Sequence, residues 1–210
     1  MNPWLSLTLN MEKIPVLIVG GGNVAYRKLQ ILHPKAKEIR LISPHIIKPL
    51  SDYLIENQIP LSQREYREED LADIFFCVAA TDSPALNHEI AIHCRNRKIL
   101  CDSASQSPEA NVQFPAVFQE ADLSIAVSTG GKSPYFARKF RDILKKEYSG
   151  NWSNYLSIIA DIRERYLRTI PSGEEKLFWD KVFHCLTEEG LSHEELVIRI
   201  EKEFLPPEPL

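Results

Sequence analysis

A short apolar run followed at once by a glycine-rich turn restricts this chain to few folds. Residues Val16 to Val19 are all apolar, as in a parallel strand buried on both faces. In the G-x-G-x-x-A pattern that follows, the first glycine permits a tight turn, the second lets a dinucleotide pyrophosphate approach the backbone, and the alanine lets the next helix pack closely. The pattern predicts a cofactor-binding turn containing Gly20, Gly22, Asn23, Val24 and Ala25.

Strand-like runs and helical patterns alternate as far as Val127. This order predicts an α/β fold with a Rossmann-like, doubly wound parallel sheet, to which Leu5–Leu9 could add an edge strand. The predicted strands are Val16–Val19, Ile39–Ile42, Ile74–Ala79, Ile99–Cys101 and Leu123–Val127. The predicted helices are Val24–Leu32, Ile46–Glu56 and Pro84–Asn96.

The pattern becomes wholly helical after this region. Tyr135–Tyr148 is basic and amphipathic, with Phe136, Phe140 and Leu144 on one face. Beyond Gly150 we expect three short helices, the second and third beginning at capping boxes. These boxes are Ser172 with Glu175 and Ser192 with Glu195, and the predicted core residues are Trp152, Tyr155, Ile159, Ile162, Phe178, Val182 and Phe183.

Composition excludes several classes of function. The net charge of the 210 residues is -4, which argues against a general nucleic-acid-binding protein. Four cysteines lie far apart without a C-x-x-C pair, so neither a disulfide framework nor a metal site is expected, and the thiols should be reduced and mostly buried. No apolar stretch is long enough to span a membrane, and we expect a cytoplasmic protein without a membrane partner.

The residues that follow the other strands are further candidates, because ligands of such sheets bind outside the carboxyl ends of the strands. Ser43, Pro44 and His45 follow the second strand, where the acidic residue that usually binds the adenosine ribose is missing. The choice between NAD and NADP therefore stays open at this point. Ala80 and Thr81 follow the next strand, and Asp82 is interpreted as a helix cap in preference to a ligand.

Residues Ser128 to Pro134 resemble a P-loop but lack its first glycine and continue into a proline. ATP binding is therefore not expected. A turn rich in hydroxyl groups and backbone N–H groups, next to basic side chains, suits carboxylate ligands. The predicted carboxylate-binding residues are Thr129, Gly130, Lys132, Ser133 and Arg138.

Four segments together resemble precorrin-2 dehydrogenase, the dehydrogenase and sometimes ferrochelatase part of siroheme synthase. They are Val19–Lys28, Ala79–Asn87, Phe114–Ala116 and Ser128–Arg138, in family order. The resemblance implies NAD-dependent oxidation of precorrin-2 to sirohydrochlorin by a homodimer. It also implies a Rossmann domain over 1–112, a dimerisation region over 113–148 and a small helical C-terminal domain over 149–210.

The resemblance also bears on the catalytic residue. The family has an aspartate after the fifth strand, and an ungapped count places Ser105 at that position, whereas Asp102 is the carboxylate nearest to it. We therefore predict Asp102 as the catalytic group, with Ser105 as the alternative and local capping of N–H groups as a structural role for Asp102. Two alternative functions stay open, a bifunctional dehydrogenase and ferrochelatase, and a regulatory module that senses NAD.

Overall fold

The computed structural model describes residues 3–105, 107–148, 152–166 and 173–187, together with 194–195, 198–199 and 202. The chain divides into two compact units, Met1–Phe114 and Pro115–Leu210, and each is described by itself.

The first unit contains a five-stranded parallel sheet with the order β3-β2-β1-β4-β5. Since β1 is central, the chain builds outward on one side and then on the other, which confirms the predicted doubly wound topology. The two-residue strand β3 was missed, because so short a segment carries no periodic pattern. The strands are β1 (Val16–Val19), β2 (Ile39–Ile42), β3 (Leu61–Ser62), β4 (Phe76–Ala79) and β5 (Leu100–Ser103).

Strand β1 shows why this sheet is covered on both faces. Its four side chains are at most 2% exposed and alternate between two separate apolar clusters. Val16 and Ile18 belong to the cluster that contains Leu29, and Leu17 and Val19 belong to the cluster on the opposite face. Full burial of each such side chain is worth roughly 1.5–3 kcal/mol, which fixes the strand at the centre of the unit.

Three α-helices connect the strands of the first unit. They are α1 (Asn23–Leu32), α2 (Lys48–Glu56) and α3 (Pro84–Asn96), and a 3₁₀ turn covers Glu68–Leu71.

The start of α3 corrects one prediction. Ser83 caps this helix by accepting a hydrogen bond from the backbone N–H of Leu86. Asp82, the predicted cap, is one position too early, because Pro84 occupies the first helical position and places the cap at Ser83.

Two strand predictions need correction, because one predicted strand is absent and another pairs outside the parallel sheet. Leu5–Leu9 forms no strand, and Leu5 and Leu7 are 78% and 73% exposed, so no burial favours their addition to the sheet. Strand β7 (Leu123–Val127) exists as predicted but pairs antiparallel with β6 (Ala116–Glu120), outside the parallel sheet. The two strands are joined by Ala121 and Asp122 alone, and a connection this short permits only an antiparallel pair.

In the second unit the hairpin of β6 and β7 is followed by three described helices, α4 (Pro134–Tyr148), α5 (Trp152–Tyr166) and α6 (Glu175–Thr187). Ile162, Phe178 and Val182 are buried as predicted, whereas Phe183 is 56% exposed because it lies about 100° around the helix from Val182. Ser172 and Ser192 lie outside the described residues. None of the described helices combines the length and the apolar character needed to cross a membrane.

Candidate cofactor and proton-transfer site

The turn after β1 requires glycine at two successive positions. Gly20 has a φ of +125°, and a Cβ atom on it would lie 2.1 Å from the carbonyl oxygen of Ala80. A Cβ atom on Gly21 would lie 1.9 Å from the carbonyl oxygen of His45. Gly21 was not among the predicted site residues, although its role is to let the first two crossover loops approach each other. The turn is therefore fixed by contacts between the loops that follow three neighbouring strands.

Gly22 serves a different purpose. A Cβ atom on this residue would meet no atom within 4 Å, so its outer side is open. It is the N-cap of α1 and provides no side-chain hydrogen bond, and the first turn of the helix contains no acidic residue. An open helix N-terminus without a capping side chain suits a pyrophosphate. Asn23 and Val24 are exposed around this opening, whereas Ala25 is fully buried, as the pattern requires.

The loop after β2 is built around a buried serine. The Ser43 hydroxyl donates a 2.6 Å hydrogen bond to the carbonyl oxygen of His45, and Ser43 is 5% exposed. Pro44 and His45 are exposed. The Ser43 hydroxyl already donates its proton to a carbonyl oxygen of the same loop. The exposed Pro44 and His45 are therefore the residues of this loop that could contact an adenosine ribose.

The loop after β4 is held by Asn87, a residue that the sequence analysis did not select. Asn87 is 1% exposed, and its side-chain oxygen accepts hydrogen bonds from the Thr81 backbone N–H at 2.9 Å and the Thr81 hydroxyl at 2.8 Å. Its amide group donates to the Thr81 carbonyl oxygen at 3.1 Å. These three bonds fix Thr81 beside the buried Ala80. The sequence shows a polar residue in the first turn of a predicted helix, but it does not show that this residue is buried or that Thr81 is its partner.

A buried ion pair lies in the same unit. The Lys28 ammonium on α1 is 2.8 Å from Oδ2 of Asp102 on β5, and their side chains are 12% and 8% exposed. The ammonium also lies 3.8 Å from the centre of the Phe114 ring. Oδ2 is fully buried and accepts no well-aligned hydrogen bond from the described residues. The positive charge of Lys28 is therefore what mainly offsets the free-energy cost of burying this oxygen.

The register of β5 explains the direction of the Asp102 side chain. Asp102 is paired with Val78, whose side chain belongs to the apolar cluster on the α1 side of the sheet. Asp102 therefore faces α1 and meets Lys28 there. Among the described residues the Asp102 side chain pairs with Lys28 and accepts no hydrogen bond from a local N–H group, which was the predicted alternative. Lys28 was missed as a site residue, although it is the last residue of the first motif.

Burial moves the pKa values of this pair toward each other. Desolvation lowers the pKa of Lys28, even though Asp102 opposes the shift. Desolvation likewise raises the pKa of Asp102 against the attraction of Lys28. A carboxylate with a raised pKa is a better proton acceptor near neutral pH than one in water. The arrangement can therefore accept a proton at Asp102 in a site largely protected from solvent.

Ser105 lies in the turn after β5. Its hydroxyl is 3.4 Å from that of Ser103, and it is half-buried. A pair of neutral hydroxyl groups can orient a ligand but does not accept a proton near neutral pH.

The predicted carboxylate-binding corner lies in the second unit. Thr129 accepts a hydrogen bond from the Ser133 backbone N–H at 3.0 Å, and Ser133 caps α4 by accepting one from Phe136 at 3.2 Å. Gly130, with a φ of +60°, allows the chain to turn between them. These hydroxyl groups hold the loop in shape, while Lys132 and Arg138 are exposed on and just after it.

Residues 7–116 match the family described as "Putative NAD(P)-binding", and residues 121–147 match the sirohaem biosynthesis protein central family. Precorrin-2 dehydrogenase of Priestia megaterium is 28% identical over 75% of this chain and 78% of its own length. Siroheme synthase 1 of Serratia proteamaculans is 29% identical over 86% of this chain, which spans only 38% of that protein.

A solved structure is similar over nearly the whole chain. The protein titled "SirC, precorrin-2 dehydrogenase" is 25% identical and superposes with a TM-score of 0.73, covering 95% of this chain and all of its own. The family match covers more than half of the chain. It agrees with the glycine-specific turn and with the open N-terminus of α1, both of which suit a dinucleotide. The chain therefore belongs to this NAD(P)-binding family, and the resemblance to precorrin-2 dehydrogenase that its motifs indicate is confirmed.

Proposed function

We propose that this chain oxidises precorrin-2 to sirohydrochlorin with NAD⁺ as the acceptor. The observation that carries the proposal is the buried Lys28–Asp102 pair in the sheet whose glycine turn fits a dinucleotide. The carboxyl ends of parallel strands lie at one edge of a sheet, so the turn after β1 and the carboxylate near the end of β5 share that edge. The similarity to precorrin-2 dehydrogenases supports the choice of substrate.

The residues of the turn would bind and orient the cofactor. Gly22, with the exposed first turn of α1, would hold the pyrophosphate, and Pro44 and His45 would border the adenosine ribose. Ala80 and Thr81 would leave room for a flat nicotinamide or adenosine ring beside the turn, because Ala80 is small and Asn87 fixes Thr81. NAD⁺ supplies the hydride acceptor when it is bound.

Asp102 would take up the proton that accompanies the hydride. Precorrin-2 gives up a hydride and a proton in becoming sirohydrochlorin, so the products are sirohydrochlorin, NADH and one proton. The raised pKa of the Asp102 carboxyl makes it able to accept that proton, and Lys28 would keep it ionised until then. Positioned general bases of this kind contribute about 10²–10⁴-fold to a rate.

The loop at the start of α4 would bind the substrate. Precorrin-2 carries many carboxylates, and Lys132 and Arg138 are exposed cations beside a loop whose hydroxyl groups are already engaged in holding its shape. Recognition would therefore rest on the two cations, in keeping with charge-assisted binding of carboxylates, because the Gly130 backbone N–H already donates to the Ser128 hydroxyl at 3.2 Å.

The same proposal includes a homodimer in the cytoplasm. It also includes the division of the chain into a Rossmann domain, a dimerisation region over 113–148 and a helical C-terminal domain. Val117, Phe136, Phe140 and Ile143, all within 113–148, are at least 40% exposed although they are apolar. Side chains of this kind are enriched at subunit interfaces. Substitution of Phe140 by aspartate should give a monomer in sedimentation, and an unchanged dimer would contradict this part of the proposal.

The test of the function is an assay of the purified chain with precorrin-2 and NAD⁺. Sirohydrochlorin and NADH should appear in equal amounts, as measured by their absorbance. The Gly22→Asp variant should be inactive because it cannot bind the cofactor, and omission of NAD⁺ should abolish turnover. A folded protein that binds NADH without converting precorrin-2 would refute the enzymatic proposal and would favour the regulatory module.

A further inference from the structure

Three buried thiols meet on the face of the sheet opposite the Lys28–Asp102 pair. Cys77 lies on β4, Cys94 on α3 and Cys101 on β5, and each is 0% exposed. Their three sulfur atoms all lie within 4.8 Å of one another. Because side chains alternate along a strand, Cys101 faces α3 whereas its neighbour Asp102 faces α1. The proposed dehydrogenase reaction makes no use of this cluster.

The surroundings of the thiols determine what they could bind. The described part of the chain places no carboxylate or imidazole together with the three sulfur atoms, and their neighbours in the cluster include Leu17 and Ile90. Hard cations such as Mg²⁺ and Ca²⁺ require oxygen ligands, and structural zinc requires a fourth ligand. Three sulfur ligands in an apolar site suit a soft ion with low coordination number.

The geometry is close to that of a trigonal site. With a metal–sulfur bond of about 2.3 Å, three sulfur atoms around one ion lie about 4.0 Å apart. No two of these sulfur atoms are more than 4.8 Å apart, so binding would shorten each sulfur–sulfur distance by less than about 1 Å. Rotation of the cysteine side chains supplies such a movement without a change in the backbone.

The apolar surroundings favour a monovalent ion. The three thiols pack among apolar residues such as Leu17 and Ile90. Loss of one thiol proton on binding leaves a single negative charge on the three sulfur atoms, and a monovalent ion neutralises it. A neutral complex avoids the cost of a net charge in an apolar interior.

We propose that Cys77, Cys94 and Cys101 form a buried trigonal site for a soft monovalent metal ion of the Cu(I) type. On binding, the ion forms three metal–sulfur bonds, one thiol proton passes to solvent, and no atom changes its oxidation state. Because all three sulfur atoms are buried, the ion would reach them when α3 opens locally or while the chain folds.

The test uses the whole chain without oxygen. Cu(I) is supplied as its coloured bicinchoninate complex, and loss of colour measures transfer to the protein, both after long incubation and after refolding in its presence. We expect about one Cu(I) per chain, with a rise in the melting temperature because the ion binds the folded state. Zn²⁺ should produce neither effect at this site.

Matched variants decide whether the three thiols are the ligands. Cys185→Ser is the control, since Cys185 is buried in the second unit, and it should still take up one Cu(I). Cys94→Ser should take up about none, and Cys101→Ala provides a second site variant if the first fails to fold. Failure of the wild type to bind in both procedures, or uptake of one Cu(I) by either folded site variant, would overturn the proposal. Equal binding of Zn²⁺ would overturn the assignment to a monovalent ion.

Discussion

Replacement of Lys28 by methionine should move the pH dependence of the reaction. Methionine keeps the length and apolar stem of lysine but removes the ammonium that lies 2.8 Å from Asp102. That ammonium opposes the increase in the Asp102 pKa caused by burial, so its loss should raise this pKa further. Asp102 would then be protonated, and unable to act as a base, over a wider acidic range.

The size of the shift follows from the distance. Two unit charges 2.8 Å apart interact by about 1.5 to 6 kcal/mol for effective dielectric constants of about 80 to 20. At about 1.36 kcal/mol per unit, this corresponds to about 1 to 4 pKa units. Measured effects of a neighbouring opposite charge are about 1–3 units, and we expect a shift of that size.

The assay is a pH profile of kcat/KM with precorrin-2 and NAD⁺. In Lys28→Met the acid limb should move to higher pH by about 1–3 units, with activity recovering at alkaline pH. Lys28→Arg keeps the charge and should keep the limb near its original position. Lys48→Met removes a cation from an exposed pair with Asp52 and should leave the profile unchanged. A uniform loss of activity at every pH in a folded Lys28→Met variant would refute a role for Lys28 in holding Asp102 ionised.

Three further predictions test the remaining parts of the site. Gly22→Asp should fold, because a Cβ at this position meets no atom within 4 Å, but should lose NADH binding in a fluorescence titration through repulsion of the pyrophosphate. Lys132→Ala and Arg138→Ala should each weaken substrate binding by about 1–3 kcal/mol without changing NADH affinity, and an equal loss for both ligands would indicate a structural role. Asp102→Asn should lower kcat by about 10²–10⁴-fold while Ser105→Ala stays near the wild type, and the reverse result would assign the role to Ser105.

Local sequence signals were sufficient to predict the central strand of the first unit, the turn that follows it and helix α3. The apolar run of β1 and the glycines after it act on neighbouring residues, so the sequence alone predicted both the strand and the turn. Helix α3 was predicted from Pro84 to Asn96 with both ends correct. Its cap was misassigned by one residue, because Asp82 and Ser83 are both good caps and only the position of the proline decides between them.

The partners within the site could not be predicted in the same way. Lys28 and Asp102 are distant in sequence, and only the pairing of β5 with β4 places the carboxylate on the face that carries α1. Asn87 likewise stabilises Thr81 across the turn between β4 and α3. The hairpin of β6 and β7 was missed because Ala116–Glu120 was not predicted as a strand, and because alternation indicates that Leu123–Val127 is a strand without indicating its partner.

The two faces of β5 make the dehydrogenase and metal-site proposals separable. Cys101 and Asp102 are adjacent in sequence, yet the alternation of the strand places Cys101 among the residues packed under α3 and Asp102 beside α1. A substitution at Cys94 removes a sulfur ligand without touching Lys28, Asp102 or the glycine turn. Loss of Cu(I) binding in that variant, with the pH profile of the dehydrogenase unchanged, would therefore mean that the sheet carries two independent chemical sites. A shift of the profile in the same variant would instead mean that packing couples the two faces of β5.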